Sequence, residues 1–554
     1  MERYKRHIVR SADKRVSDFL RNQVKASGRP DFGGLQGDII EAKPTIYVLT
    51  TAISVYFNTD SKYYHNEELL KAVNLAMDFV INCQREDGGF DYPSCNFKSA
   101  ADTAFCFKRL IAAYRILLQY DKNNSTKILK DKYFTVLTKA LDTIVSGGFH
   151  TPNHRWAICA ALLQGVGLTE EPLKAERYRT RASEYLAEGI DGNEDGEYAE
   201  RSTGNYNAVV NNAMIAMYEE TGEEKYLGYA IRNLHMMLTY IDPDDTIFTQ
   251  NSTRQDQGRS DYADKYFYQY LYMTSLTYDQ SFDGAAHKLI RDNMERGGLA
   301  PDCLHILMLH DAMMNYQFKD YGFLTEYRKF YQDAGVMRVK TEKFAYTIIN
   351  NKSTFLFMKA GDTQIYVKIG ESYGSVRNFI PQNLAVKEKE FILTAVAEGS
   401  YYQPFKNYSG TSDWWKMDHT KREILKNSEI KITVTIRELS EGLEFGMRAE
   451  GLEGLPLRLE ICIPSGAILE NETMYMKAEK GADMILKSGY LEIEYNGRQF
   501  ILGPGFGSHS FKGHYSGEEV NTEGFTIYLN EYTPCEKTVT LTLKNKDTLR
   551  KEIL

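Results

Sequence analysis

Residues 151–167 read TPNHRWAICAALLQGVG, and the reading of this stretch decides the fold. Pro152 suits the first helical position and Thr151 the cap before it, so Asn153 and His154 fall in the first turn of a helix. The rest of the stretch is apolar and small-residue-rich on every side, as expected of a helix buried all round. Similar apolar helices begin near Pro44, Ser99, Asn205 and Tyr262, giving successive gaps of 55, 54, 52 and 57 residues. Between them lie amphipathic segments: LLKAVNLAMDFVINCQ, YFTVLTKALDTIVSG, RYRTRASEYLAEGI and KYLGYAIRNLHMMLTYI. One apolar and one amphipathic helix per repeat is the signature of a helical-hairpin array. Apolar helices inside and amphipathic ones outside, in five to six hairpins, predict an (α/α) toroid whose loops rim one concave face. An open solenoid is the alternative.

From about Ala345 the apolar period changes from helical to two. FAYTIIN, STFLFMKA, TQIYVKIG, EFILTAVAE, EIKITVTIREL and LPLRLEICIP alternate as half-buried strands do, with Gly, Asn and Lys turns between them. An antiparallel β-sandwich over residues 336–554 is expected, after a helical domain over 1–335, with Lys319 to Val336 as connector. The fold class is therefore α+β and multidomain, which suits 554 residues.

Composition narrows function by exclusion. A formal charge of -8 argues against a nucleic-acid partner. No run of eighteen apolar residues suggests a membrane span, and the first twenty residues lack the apolar core of a signal peptide, so a cytoplasmic location is the expectation. The seven Cys are scattered with no C-x-x-C, which suggests neither a disulfide framework nor a zinc ribbon. The 39 Tyr are the unusual feature; tyrosine combines a flat apolar face with a hydroxyl and suits sugar contacts as well as amphipathic cores. The sequence sets no oligomeric state.

Three residues at helix starts could carry chemistry. Asn153 and His154 open one apolar helix, and Tyr206, in Gly204-Asn205-Tyr206-Asn207, opens the next apolar one, 52 residues after His154. Helix starts offer free N–H groups and a positive dipole end, a suitable place for an anion. Elimination across C4–C5 of a uronate needs a neutralised carboxylate, a base for the C5 proton and an acid for the departing oxygen. An amide, an imidazole and a phenol can meet those needs without a metal or cofactor.

Toroid, sandwich and these residues together resemble the polysaccharide lyases of the heparinase II/III-like and alginate-lyase-like group. The resemblance implies Asn153 as carboxylate neutraliser, His154 as second neutraliser or base, and Tyr206 as proton-transfer residue. It also implies a His or Tyr from the sandwich in the cleft, for which His419 in DWWKMDHTKRE is the best local candidate. Arg155, Trp156, Asn205, Arg259, Tyr262, Tyr266, Trp414 and Trp415 are the expected substrate contacts. The implied partner is a uronate-containing oligosaccharide or polysaccharide. Two rival readings stand beside this one: a glycoside hydrolase of the unsaturated glucuronyl hydrolase type using Asp102 and Asp191, and a non-catalytic carbohydrate-binding protein.

Overall fold

A computed structural model describes residues 1–319, 321–373, 376–513, 518 and 520–544. The chain forms two compact units, Met1–Ile241 with Asp245–Leu324, and Asp242–Asp244 with Thr325–Leu554.

The first unit is helical. Its elements are α1 (Glu2–Asn22), α2 (Lys43–Phe57), α3 (Glu67–Cys83), α4 (Ala100–Tyr120), α5 (Lys127–Ser146), α6 (Pro152–Val166), α7 (Pro172–Leu186), α8 (Tyr206–Thr221), α9 (Glu224–Leu238), α10 (Phe267–Thr277), α11 (Gln280–Glu295), α12 (Leu304–Leu309) and α13 (Asp311–Met314). A 3-10 turn over Ala263–Tyr266 leads into α10. Five hairpins result, α2/α3 through α10/α11. The outer helix of each shows a single buried stripe; in α7 it is Ala175, Tyr178, Ala182 and Tyr185, the three-four spacing that keeps side chains on one face. The inner helices are buried on most sides: α2 is buried without a break from Leu49 to Phe57.

The ring closes through α1. Its Tyr4 hydroxyl meets His287 Nε2 of α11 at 2.9 Å, His7 Nε2 meets Asn293 Oδ1 at 2.8 Å, and Arg15 donates to the Ala300 carbonyl at 2.6 Å. The amino-terminal stretch, read in sequence only for its lack of an apolar core, is thus a 21-residue helix that joins the first and last hairpins. Among the described residues no helix is long and apolar enough to cross a membrane.

The second unit contains two sheets of nine strands. Ile430, Ile432, Val434 and Ile436 of one sheet, and Ile365, Val367 and Ile369 of the other, belong to one buried core, as period-two strands require. Pairing is antiparallel except that Asp483–Ile485 runs parallel to Phe525–Tyr532. The expected connector Lys319–Val336 already holds a strand, Tyr327–Tyr331, paired with Val336–Lys340. Asp242–Asp244 belongs with this unit because Asp242 accepts from the buried Arg338 guanidinium at 2.6 Å and lies 3.4 Å from Lys359 Nζ. A three-residue excursion of this kind has no periodic signal in sequence.

Candidate functional site

The inner helices α2, α4, α6 and α8 begin with Lys43, Ala100, Pro152 and Tyr206, and the polar groups at these starts form one cluster. At the start of α6, Thr151 has extended backbone and Pro152 occupies the first turn. The Asn153 backbone N–H donates to Glu200 Oε2 at 3.0 Å, and its side-chain amide donates to both Glu200 oxygens at 2.9 and 2.8 Å. Asn153 is 0% exposed. Its amide thus serves a buried protein carboxylate.

Glu200 also forms an ion pair with Arg254, Nε to Oε1 at 3.3 Å. Burial raises the Glu200 pKa, while the Asn153 hydrogen bonds and Arg254 restrain that rise. Among the described residues, no protein acceptor bonds the terminal nitrogens of Arg254. The same guanidinium lies 5.5 Å from the centre of the Tyr206 ring. The Tyr206 hydroxyl accepts from Gln255 Nε2 at 2.7 Å.

His154, one residue beyond Asn153, packs edge-on against His150 and Phe105, with ring centroids at 4.6 and 5.7 Å. Burial, then His150, push its pKa down to about 4 against the pull of Asp102; Arg254 and Lys43 add to the depression. At neutral pH the imidazole is therefore uncharged. The Asp102 carboxylate accepts from Lys43 Nζ at 3.3 Å and Asn96 Nδ2 at 3.0 Å. Arg254 is the hub: it pairs with Glu200, flanks Tyr206 and lies within electrostatic reach of His154.

Two loops are stitched together to hold that hub. The Asp256 carboxylate accepts from Ser202 Oγ at 2.8 Å, Ser252 Oγ at 2.7 Å and the Gly204 backbone N–H at 2.9 Å. Ser202 Oγ in turn accepts from the Tyr206 N–H at 3.0 Å. A Cβ at position 204 would stand 2.9 Å from Asp256 Oδ2, which is why this position is glycine. Thr253 donates from its hydroxyl to the Glu200 carbonyl at 2.9 Å. The sequence words holding these partners, GNEDGEYAERSTGNY and QNSTRQDQGRSDY, show loop chemistry before inner helices. Their dense Ser, Thr and Asp content was the available signal for Glu200, Arg254, Gln255 and Asp256.

The other expected contacts separate into three groups. Arg155, Trp156 and Tyr266 are buried. Arg155 bonds Glu188 at 2.7 Å and the Gly189 carbonyl at 2.9 Å, and stacks on Trp156 with its guanidinium 3.9 Å from the ring. Trp156 Nε1 donates to Asp191 at 2.5 Å. These two residues thus fasten the loop after α7. The Tyr266 hydroxyl donates to the Thr203 carbonyl at 2.5 Å and positions the Ser202–Tyr206 turn.

Asn205 and Arg259 are exposed, and the half-exposed Tyr262 lies under Arg296, 3.9 Å from ring centre to guanidinium. In the second unit, Trp414, Trp415 and His419 sit in one exposed loop. His419 stacks on Trp414 with centroids 4.0 Å apart and bonds its carbonyl at 2.8 Å, while Trp415 is 90% exposed. Of the carboxylates of the hydrolase reading, Asp191 accepts from Trp156, and Asp102 accepts from Lys43 and Asn96.

Comparison with known proteins rests on structure. No protein-family model matches the chain, and no curated protein matches it in sequence. Heparinase III superposes with a TM-score of 0.57 at 11% identity, over 97% of this chain and 86% of its own. The fold is that of the toroid-plus-sandwich polysaccharide lyases. Streptomyces coelicolor A3 chondroitin AC lyase, solved in complex with chondroitin sulphate, matches with a TM-score of 0.59 at 10% identity, over 100% of this chain and 81% of its own. A Paenibacillus xanthan lyase matches with a TM-score of 0.60 at 9% identity, over 98% of this chain and 57% of that longer one.

Proposed function

We propose that the chain is a polysaccharide or oligosaccharide lyase that cleaves a uronate-containing glycan by β-elimination. The observation that carries this reading is the convergence of Glu200, Tyr206 and His154 on Arg254 at the starts of the inner helices. The shared fold with lyases, one of them solved with chondroitin sulphate, supports it.

The groups present define the chemistry. A uronate carboxylate opposes removal of the neighbouring C5 proton because the developing enolate adds charge to it. Arg254, ion-paired with Glu200, offers its terminal nitrogens as a fork to that carboxylate. Asn153 acts one step back, fixing Glu200 and through it Arg254. Tyr206 transfers the proton, with Gln255 orienting its oxygen. His154 enters as a neutral imidazole: able to accept a proton, but not to supply positive charge. The C5 proton passes to the neutral His154 imidazole, the C5–H electron pair forms the C4–C5 double bond, the C4–O pair leaves with the departing oxygen, and the Tyr206 hydroxyl protonates that oxygen.

The test is a panel of uronate-containing glycans monitored by ultraviolet absorbance of the unsaturated product. Absorbance rising in step with new chain ends supports elimination. New reducing ends that carry solvent oxygen, without absorbance, would instead mark a hydrolase.

A further inference from the structure

The two longest strands of the second unit, Glu390–Tyr402 and Ile424–Leu439, pair along their length and are joined by the loop 403–423. The chain has three Trp. Trp156 is fully buried, whereas Trp414 is 55% and Trp415 90% exposed in this loop, and Tyr408 of the same loop is 83% exposed. Large rings left in water forgo the burial that ordinarily stabilises them, so their grouping in one loop marks a contact surface.

The loop is built to hold these rings in place. Trp414–Lys416 is a 3-10 turn capped by Asp413, whose carboxylate accepts from the Trp415 N–H at 3.2 Å. The His419 ring packs on Trp414 with centroids 4.0 Å apart, and its Nε2 donates to the Trp414 carbonyl at 2.8 Å. At the base of the loop, Arg422 Nε donates to the Gln403 carbonyl at 3.1 Å. A platform fixed before binding loses little conformational freedom on meeting a ligand.

Charge and composition select the partner. Lys406 pairs with Glu423 at 2.5 Å, Lys416 with Asp413 at 3.0 Å and Lys421 with Asp418 at 3.5 Å. Each loop lysine is matched within the loop, which leaves no row of unmatched lysines for a nucleic acid or an acidic membrane surface. Positions 403–423 contain no Leu, Ile or Val; the apolar groups are mostly aromatic and are set among Asn, Ser and Thr. Flat rings bordered by amides and hydroxyls match the C–H face of a pyranose and its rim of hydroxyls.

We propose that loop 403–423 is a glycan-holding platform, on which the pyranose rings of a polysaccharide stack through their C–H faces whether or not the sugar is charged. The platform lies in the second unit, and its occupancy does not depend on what reaction the Arg254 cluster performs.

Native gel electrophoresis of the full-length protein through neutral polysaccharides tests this without reference to turnover. Carboxyl-reduced chondroitin, carboxyl-reduced alginate and mannan are the probes, none of which carries the carboxylate that elimination requires. At least one should retard the wild type, and Trp415→Ala should raise its dissociation constant about tenfold, the worth of one stacking contact. Lys421→Gln, which removes a paired charge, should leave retardation unchanged. Both variants should keep the wild-type melting temperature, since each alters an exposed side chain. No retardation by any probe, loss of it in Lys421→Gln, or retardation that survives in a Trp414→Ala, Trp415→Ala double variant overturns the assignment. So does Trp415-dependent sedimentation with phosphatidylserine vesicles, which would make the loop a lipid contact.

Discussion

The Arg254 guanidinium lies 5.5 Å from the centre of the Tyr206 ring, while its Nε reaches Glu200 at 3.3 Å. One cation thus flanks a phenol that is only half buried and whose hydroxyl, among the described residues, meets a single partner, Gln255. Tyr206→Phe removes the hydroxyl and leaves the ring beside Arg254. Turnover should fall roughly 10²- to 10⁴-fold, the usual worth of a positioned proton-transfer group. The melting temperature should stay near wild type, since no buried bond is lost. A variant that melts early but keeps its activity per folded molecule would make Tyr206 a structural residue.

Arg254→Lys separates charge from geometry. Lysine keeps the cation but cannot present a two-pronged donor to a carboxylate. KM for a uronate glycan should rise about tenfold or more, the scale of one lost charge-assisted bond, with a smaller fall in kcat. Steady-state kinetics on the same substrate decides it, and an unchanged KM would mean that the carboxylate binds elsewhere.

Asn153 and Glu200 form a buried pair whose cost of disruption can be read by pH. Asn153→Ala leaves the Glu200 carboxylate short of donors and should cost about 1–3 kcal/mol of stability. Asn153→Asp sets a second carboxylate against the first, so at least one pKa is raised in the folded state. That variant should be least stable at neutral pH and should recover as acidification protonates the pair. Thermal melts from pH 7 down to pH 5 check this, and a melting curve insensitive to pH would deny the contact.

The His154 imidazole, held at about 4 against an ordinary value of 6.5, binds fewer protons folded than unfolded between those two pH values. Its contribution to stability is therefore level above pH 6.5 and is progressively lost as pH falls toward 4. Nuclear magnetic resonance of the ring proton shifts should show a midpoint near 4. A midpoint near 6.5 would place the ring in open water and remove the basis for treating it as neutral.

The helical repeat was legible because buried inner and half-buried outer helices differ in periodicity, and the sandwich because its strands alternate. Within the site, legibility stopped at the helix starts. Successive helix residues point about 100° apart, so His154 and Trp156 face nearly opposite sides. α6 is buried nearly all round and gives no apolar stripe to say which side meets the cluster. That is why the sequence, which offers Arg155 and Trp156 as sugar contacts, does not announce their bonds to the Glu188–Asp191 loop. Glu200, Arg254 and Asp256 come from aperiodic loops. Their pairing depends on hydrogen bonds across about fifty residues, as from Ser202 to Asp256, which no local pattern encodes.

Trp156 makes that distinction measurable. It is fully buried, and its indole N–H serves Asp191, whose second oxygen has no hydrogen-bond partner. Trp156→Phe removes the donor and part of the ring volume. Leaving a half-buried carboxylate less satisfied costs something, and the vacated space in the core adds about 1–3 kcal/mol. Arg155 loses its stacking surface at the same time, which loosens the loop after α7 rather than the Arg254 cluster. The expected result is a lower melting temperature with kcat/KM per folded molecule near wild type. The opposite result, intact stability with collapsed turnover, would show that the indole reaches the reacting sugar and that α6 is turned the other way about its axis.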